Sequence, residues 1–385
     1  MALRLSKRSS SIVQSEIRNM SIECERVGGI NLSQGVCDTP IPAEVRRAAQ
    51  AAIDAGPNSY TRYDGIAELR RALARRLDRY NHLRVDSDSE IIVSAGSTGA
   101  FYCACMALLD PGDEVILFEP FYGYHVNTLL AVDAVPVYVP MNPPEWTFRA
   151  EELEAIVTPR TRGIMLNTPA NPCGKVWSRT ELELIADFAE RHDLFVFTDE
   201  VYEYLVYDGT EHVSPATIPQ LRSRTITMGS LSKTFSITGW RIGYAVADAR
   251  WSRMIGYMND LVYVCAPAPL QAGVAHGLEA VPDSYYTSLR DEYRHKRDII
   301  CAALKDAGLT PFVPRGAYYV LADLSRIPGR TSKERAMKLL EVTGVATVPG
   351  ESFYREGHGE TNARFCFAKT MDQLNEACRR LRRLG

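Results

Sequence analysis

Short, almost wholly apolar runs punctuate the middle of this 385-residue chain, with polar stretches of helical length between them. The runs are Glu90–Val93, Glu114–Phe118, Val135–Val139, Gly163–Asn167, Leu194–Thr198, Thr225–Met228 and Arg241–Val246. Leu194–Thr198 is apolar up to its last residue, as in a strand buried on both faces, which is the habit of parallel sheets. The stretches between carry the helical period. Arg179–Arg191 follows Ser178 as N-cap and sets Leu182, Ile185, Ala186 and Ala189 on one face. Such alternation predicts an α/β fold with a mainly parallel sheet and helices on both sides. A helical run from Ile66 to Tyr80, a short alternating strand at Asn362–Phe367 and a long polar helix from Ser284 to Asp306 complete the pattern.

Composition narrows the function classes. Apolar residues at 46% and charged ones at 24% are those of an ordinary globular protein, long enough for two domains. A net charge of −3 gives no nucleic-acid-binding surface, and Arg379-Arg380-Leu381-Arg382-Arg383 reads as one charged helix face. Nine scattered cysteines form no disulfide frame, and Cys103 and Cys105 are too close together for a zinc site, so no metal is expected. Met1–Ser11 has no apolar leader and no run reaches membrane-spanning length. The expected location is the cytoplasm, with no membrane partner.

The candidate chemistry centres on Ser230-Leu231-Ser232-Lys233-Thr234-Phe235 and the following Gly239-Trp240-Arg241-Ile242-Gly243. A lone lysine in a Ser/Thr loop usually sits at the surface, but Met228, Leu231, Phe235 and Ile237 make this stretch apolar. An ordinary lysine is protonated near neutral pH and a poor nucleophile, so a reactive one must be made neutral or held as an imine. Ser230 and Ser232 can donate to phosphate oxygens, Arg241 can clamp a phosphate with two donors in a plane, and Gly239 and Gly243 permit close backbone approach. An imine-forming amine beside a phosphate points to pyridoxal 5'-phosphate.

The pattern resembles the lysine region of the class I/II aminotransferases, the fold-type I pyridoxal-phosphate enzymes related to aspartate aminotransferase, and the likeness runs from about Asn31 to Arg364. That family builds a large domain on a mainly parallel mixed sheet, plus a smaller α/β domain from both chain ends. The implied division here is 42–283 for the large domain and 284–385 for the small one, joined by residues 1–41. The cofactor's ring nitrogen needs a carboxylate to stay protonated. Asp199, delivered by its apolar strand, matches that partner, and Tyr202 matches the tyrosine that donates to the phenolic oxygen. Asn171, in the rigid loop Asn167-Thr168-Pro169-Ala170-Asn171-Pro172-Cys173-Gly174, matches a second donor to that oxygen and to the incoming carboxylate. The turn Ser94–Ala100 opens a helix and would present Gly96, Ser97 and Thr98 to the phosphate.

The resemblance also gives Arg364 the substrate α-carboxylate, Tyr122 the face of the ring, and Gly35 a place beside the substrate. Tyr60 matches a tyrosine that crosses to the partner's phosphate, which implies a homodimer with shared sites. Two loops, Gln34–Pro40 and Pro120–Tyr124, are shorter than usual. Taken alone, several of these residues would read as turns, caps, core or strand-edge surface.

The implied activity is a ping-pong aminotransferase acting on amino acids and 2-oxo acids, with Lys233 as imine partner and proton carrier. The position where dicarboxylate-specific relatives carry a lysine holds Thr98, and Val262-Tyr263-Val264-Cys265 is apolar, so a neutral or aromatic donor is expected. Arg26 and Arg62 are the candidates for a compensating charge. A lyase or cyclase on the same fold needs the same residues. A non-enzymatic regulator would need an added DNA-binding module, for which there is no room before Asn31.

Overall fold

Alternate residues of the central strands go to opposite faces of one sheet, and both faces are apolar. Val115 and Leu117 pack with Met165, Phe197 and the helix Gly96–Leu108. Ile116 and Phe118 pack on the other side with Ile164, Leu166, Val196 and the helix Arg179–Arg191. Each large aliphatic side chain so buried contributes about 1.5–3 kcal/mol. This two-sided burial is why the strands read as unbroken apolar runs.

The protein was analysed as a computed structural model that describes residues 3–12, 14–56 and 58–385. The seven strands lie in the order Ile91–Ala95, Ile242–Val246, Thr225–Ser230, Phe195–Asp199, Thr161–Asn167, Glu114–Glu119, Val135–Pro140. Ile242–Val246 is antiparallel to both neighbours. The remaining pairings are parallel. The expected strands are all present, with ends moved by one or two residues. Ser178 caps its helix through a reciprocal pair: its Oγ accepts from the Glu181 amide at 3.3 Å and Glu181 Oε2 accepts from the Ser178 amide at 2.9 Å.

Both chain ends build a smaller α/β unit. Its antiparallel sheet runs Val348–Pro349, Asn362–Cys366, Tyr319–Asp323, Thr310–Phe312. From the other end of the chain, Ile30–Asn31 pairs in parallel with Val345–Ala346, and Met20 and Cys24 of the helix Glu16–Arg26 pack on Ala336, Leu340 and Ala346. The helix Asp283–Asp306, 24 residues and so about 36 Å long, places Leu289, Tyr293, Ile300 and Leu304 in the same core as Tyr319 and Phe365.

Two expectations are corrected. The helix expected over Ile66–Tyr80 is regular only from Ala67 to Arg76 and widens into a π-helix at Leu77–Asn81. Downstream of the wider turn, buried Asn81 donates to buried Glu203 at 2.7 Å. Nor does Asn362–Cys366 alternate between buried and exposed. Phe365 enters the core, whereas its neighbour Arg364 is buried against the rings of Tyr319 and Phe353. Among the described residues no helix is long and apolar enough to cross a membrane.

Candidate active site

Four parallel strands end at the same end of the large sheet, three of them adjacent and the fourth beyond the antiparallel Ile242–Val246, and each ends on a chemistry-bearing segment. Asp199 and Asn167 stand opposite each other in register, Ser230 closes the next strand, and Ala95 leads directly into the helix that starts at Gly96. No separate turn intervenes between Ala95 and that helix, so its first N–H groups face the sheet edge without intrahelical partners. A cleft of about 580 Å³ opens there.

Gly35, Ser97, Thr98, Tyr122, Asn171, Asp199, Tyr202, Ser230, Ser232, Lys233, Arg241 and Arg364 all line the cleft. Gly96 lies against it: a Cβ added there would meet Arg241 Nη2 at 2.2 Å, and its φ is +77°. Gly243 is equally constrained, since its Cβ would meet Gly96 C at 2.4 Å and the Ser97 amide nitrogen at 2.5 Å. Gly239 corrects the expectation of close approach, because nothing lies within 4 Å of its would-be Cβ. Tyr60 is apart from the cleft and 80% exposed.

Lys233 is half-buried, and its Nζ donates to Gly35 O at 3.2 Å. Burial, helped by the charge of Arg241, holds its pKa below the ordinary lysine value. Gly35 cannot be enlarged, since a Cβ would stand 2.0 Å from Tyr319 Oη. Its carbonyl also accepts from Tyr318 at 3.0 Å. Tyr202 Oη lies 3.0 Å from Tyr319 Oη. Burial pushes Tyr319 up to about 12 and Tyr202 well above the usual tyrosine value, so both remain neutral hydroxyls.

Asp199 is buried and its Oδ2 lies 3.0 Å from His125 Nε2. Asn171 Oδ1 accepts from Arg364 Nη1 at 2.8 Å, which orients the amide nitrogen of Asn171 as a donor. Arg364 Nη2 donates to Ser33 O at 2.6 Å, while its buried Nε has no partner among the described residues. Ser230 Oγ accepts from the Ser232 amide at 3.0 Å and lies 2.9 Å from Ile242 O and 2.7 Å from Ser232 Oγ. Its single hydroxyl hydrogen therefore has acceptors inside the protein. Arg241, in the left-handed region at φ 58°, donates to Thr238 O at 2.9 Å and Ala95 O at 3.4 Å.

The residues fit a phosphorylated aldehyde cofactor. The start of the helix Gly96–Leu108, the hydroxyls of Ser97, Thr98 and Ser232, and Arg241 would make a dianion cradle, in which a Cβ at Gly243 meets backbone and one at Gly96 would displace the Arg241 guanidinium. A desolvated lysine and a buried carboxylate line the same cleft.

His125 and Tyr319 were not singled out in the sequence. His125 sits three residues after Tyr122, on the short helix Gly123–Ala131, and its role exists only through the distant Asp199. A lone polar ring in an apolar helix was the available signal. Tyr319 joins the site from a strand of the smaller sheet, and nothing local marks it.

The class I and II aminotransferase family model matches residues 27–381. Kynurenine–oxoglutarate transaminase 3 of Rattus norvegicus is 33% identical over 411 residues, covering 98% of this chain and 90% of its own length. The structure of N-succinyldiaminopimelate aminotransferase from Mycobacterium tuberculosis superposes with a TM-score of 0.96 at 36% identity, covering 99% of this chain and all of that one. A methionine aminotransferase structure from Escherichia coli gives 0.95 at 33% identity, with both chains fully covered. The chain belongs to the class I and II aminotransferases. It is a pyridoxal-phosphate-dependent transferase whose substrates are amino acids and 2-oxo acids.

Proposed function

We propose that this enzyme moves the amino group of a neutral or aromatic L-amino acid to a 2-oxo acid by a ping-pong cycle. The observation behind the donor class is a second chamber of about 350 Å³ that shares Ser15, Ile17, Tyr122 and Tyr124 with the cleft; Phe121, Val126, Leu130, Phe353 and Tyr354 form its apolar side, and its charged lining residues, Glu16 and Glu351, are both acidic. Such a wall suits an apolar or aromatic side chain and offers no cation to an acidic one. Relatives are named for kynurenine, methionine and N-succinyldiaminopimelate, while aspartate aminotransferase structures from Thermus thermophilus match at 31% identity as well, so it is the chamber wall that carries the donor class.

When bound, the cofactor supplies an aldehyde carbon that captures amines and a ring that delocalises the electron pair left when Cα loses its proton. Ser97, Thr98, Ser232 and Arg241 would hold its phosphate, and Ser230 would position Ser232. Asp199, oriented by His125, would keep the ring nitrogen protonated, while Tyr202 and Asn171 donate to the phenolic oxygen. Tyr122 would cover one side of the ring. Arg364 orients the substrate carboxylate with two donors in a plane, and Gly35 leaves the backbone close to the substrate. Lys233 takes the Cα proton on Nζ and returns it on the other side of the transfer, a task suited to an amine with a lowered pKa. The first product leaves before the second 2-oxo acid enters.

Tyr60 serves a phosphate only in a homodimer. Supporting that assembly, Tyr63 beside it packs on the helix Ala249–Tyr263, where Leu261, Val262 and Val264 are exposed and Val264 holds a strained φ of 64°. Residues 42–283 would form the large domain, and 1–41 with 284–385 the small one, a division that the pairing of Ile30–Asn31 with Val345–Ala346 favours. Nine free thiols suit a reducing cytoplasm.

The test is to add single amino acids to the holoenzyme and follow the cofactor absorbance and the products. Recovery of the matching 2-oxo acid, with phenylalanine, methionine or kynurenine ahead of aspartate in kcat/KM, is expected. Aspartate clearly ahead would overturn the donor class, and release of pyruvate or ammonia would show a lyase.

A further inference from the structure

We propose that Glu200 is a positioning residue for the cofactor: held from behind the cleft by His212 and Ser214, it fixes the turn on which Asp199 and Tyr202 face the ring. This rests on the contacts proposed above for those two residues. Asp199 closes its strand, and Asp199 and Tyr202 line the cleft, whereas Glu200 between them does not and is buried behind it. Its Oε1 accepts from Ser214 Oγ at 3.0 Å and from Thr198 Oγ1 at 3.2 Å, and its Oε2 lies 2.9 Å from His212 Nε2. Its amide donates to Met228 O at 2.9 Å, two residues before Ser230. The link to the cleft is direct. The peptide that joins Glu200 to Val201 donates to Asp199 Oδ1 at 3.4 Å, so a shift at Glu200 is passed to the carboxylate that faces the ring.

The loop behind the turn can serve as a fixed anchor. Val213 packs in the core around Trp177, and Ala216 in the core around Leu231 and Phe235. His212 has no hydrogen-bond partner other than Glu200 among the described residues, since its buried Nδ1 has none. Glu203, the other buried glutamate of this turn, is held separately by Asn81. Burying a carboxylate costs more than burying an apolar side chain of the same size, so stability alone does not call for Glu200 here. What its directed hydrogen bonds add is a fixed orientation of the turn.

Hydrogen bonds to the phenolic oxygen weaken its hold on the proton of the adjoining Lys233 linkage. The pH midpoint of the bound cofactor's absorbance therefore reports how well Tyr202 is placed. Glu200→Met, apolar and of similar length, should raise that midpoint by about one pH unit, a tenfold change in proton affinity. It should also raise the Kd for pyridoxal phosphate, measured by dilution of the holoenzyme, about tenfold. Glu200→Gln keeps the shape and the acceptor for Ser214, and should shift the midpoint by about half as much. Leu182→Ala, buried in the helix Arg179–Arg191 and outside the cleft lining, is the control for lost stability. Tyr202→Phe is the reference for a lost contact. A Glu200→Met protein with wild-type midpoint and Kd, or a Leu182→Ala protein of equal Tm loss that shifts the midpoint as far, overturns the proposal. Should Glu200→Met not fold, Glu200→Gln decides alone, and an unshifted midpoint overturns it. No shift in Tyr202→Phe removes the contact reading and the proposal with it; a shift there with none in either Glu200 variant counts against Glu200 alone.

Discussion

Gly243→Ala tests whether the packing beneath the Gly96–Thr98 turn matters for the cofactor. The added Cβ would stand 2.4 Å from Gly96 C, 2.5 Å from Ser97 N and 2.7 Å from Gly96 Cα, all of them backbone atoms. No side chain can swing aside, so the turn must retreat by about 1 Å to reach an ordinary contact distance. Overpacking of this kind costs about 1–3 kcal/mol of stability. The same retreat misplaces the amides and hydroxyls of Ser97 and Thr98. Loss of one charge-assisted hydrogen bond is worth about 1.5–3 kcal/mol, or roughly ten- to a hundredfold in cofactor Kd. Spectrophotometric titration of the apoprotein with pyridoxal phosphate measures the Kd, and a thermal melt measures the stability. Gly239→Ala is the control, since nothing lies within 4 Å of its Cβ. A Gly243→Ala protein with wild-type Kd and Tm, or a Gly239→Ala protein as impaired as it, would refute the reasoning.

Three further outcomes are expected. Mixing a Lys233→Ala parent with a Tyr60→Ala parent should restore activity through hybrid dimers with one intact site; no recovery after confirmed subunit exchange would place the whole site in one chain. Arg364→Lys should lower kcat/KM for amino donors by at least about thirtyfold, the effect of about 2 kcal/mol or more for breaking a buried charge pair, and a change under threefold would contradict its role. Ser178→Ala should cost about 1 kcal/mol of stability through the lost cap and leave cofactor titration unchanged, because Ser178 does not itself line the cleft.

Much of the molecule could be read from the chain because the relevant chemistry is local. Asp199 follows its own apolar strand, Lys233 stands among its own serines, and Asn171 sits in its own proline-stiffened loop. What escaped was set by tertiary contacts. Ile242–Val246 reverses direction between two parallel strands, and its own apolar pattern would be the same in either orientation. Two-residue strands such as Ile30–Asn31 are too short to show a period, and only the pairing with Val345–Ala346 makes them strands. His125 and Tyr319 acquire partners 74 and 117 positions away.

The identity of the lysine that carries the cofactor decides most. Borohydride reduction of the holoenzyme, followed by proteolysis and mass spectrometry, fixes the cofactor to the amine it occupies. The label is expected on Lys233, the one lysine lining the cleft among the described residues. A label on Lys175, held by Glu181 at 2.6 Å, or on Lys369, held by Asp38 at 3.2 Å, with none on Lys233, would contradict the account.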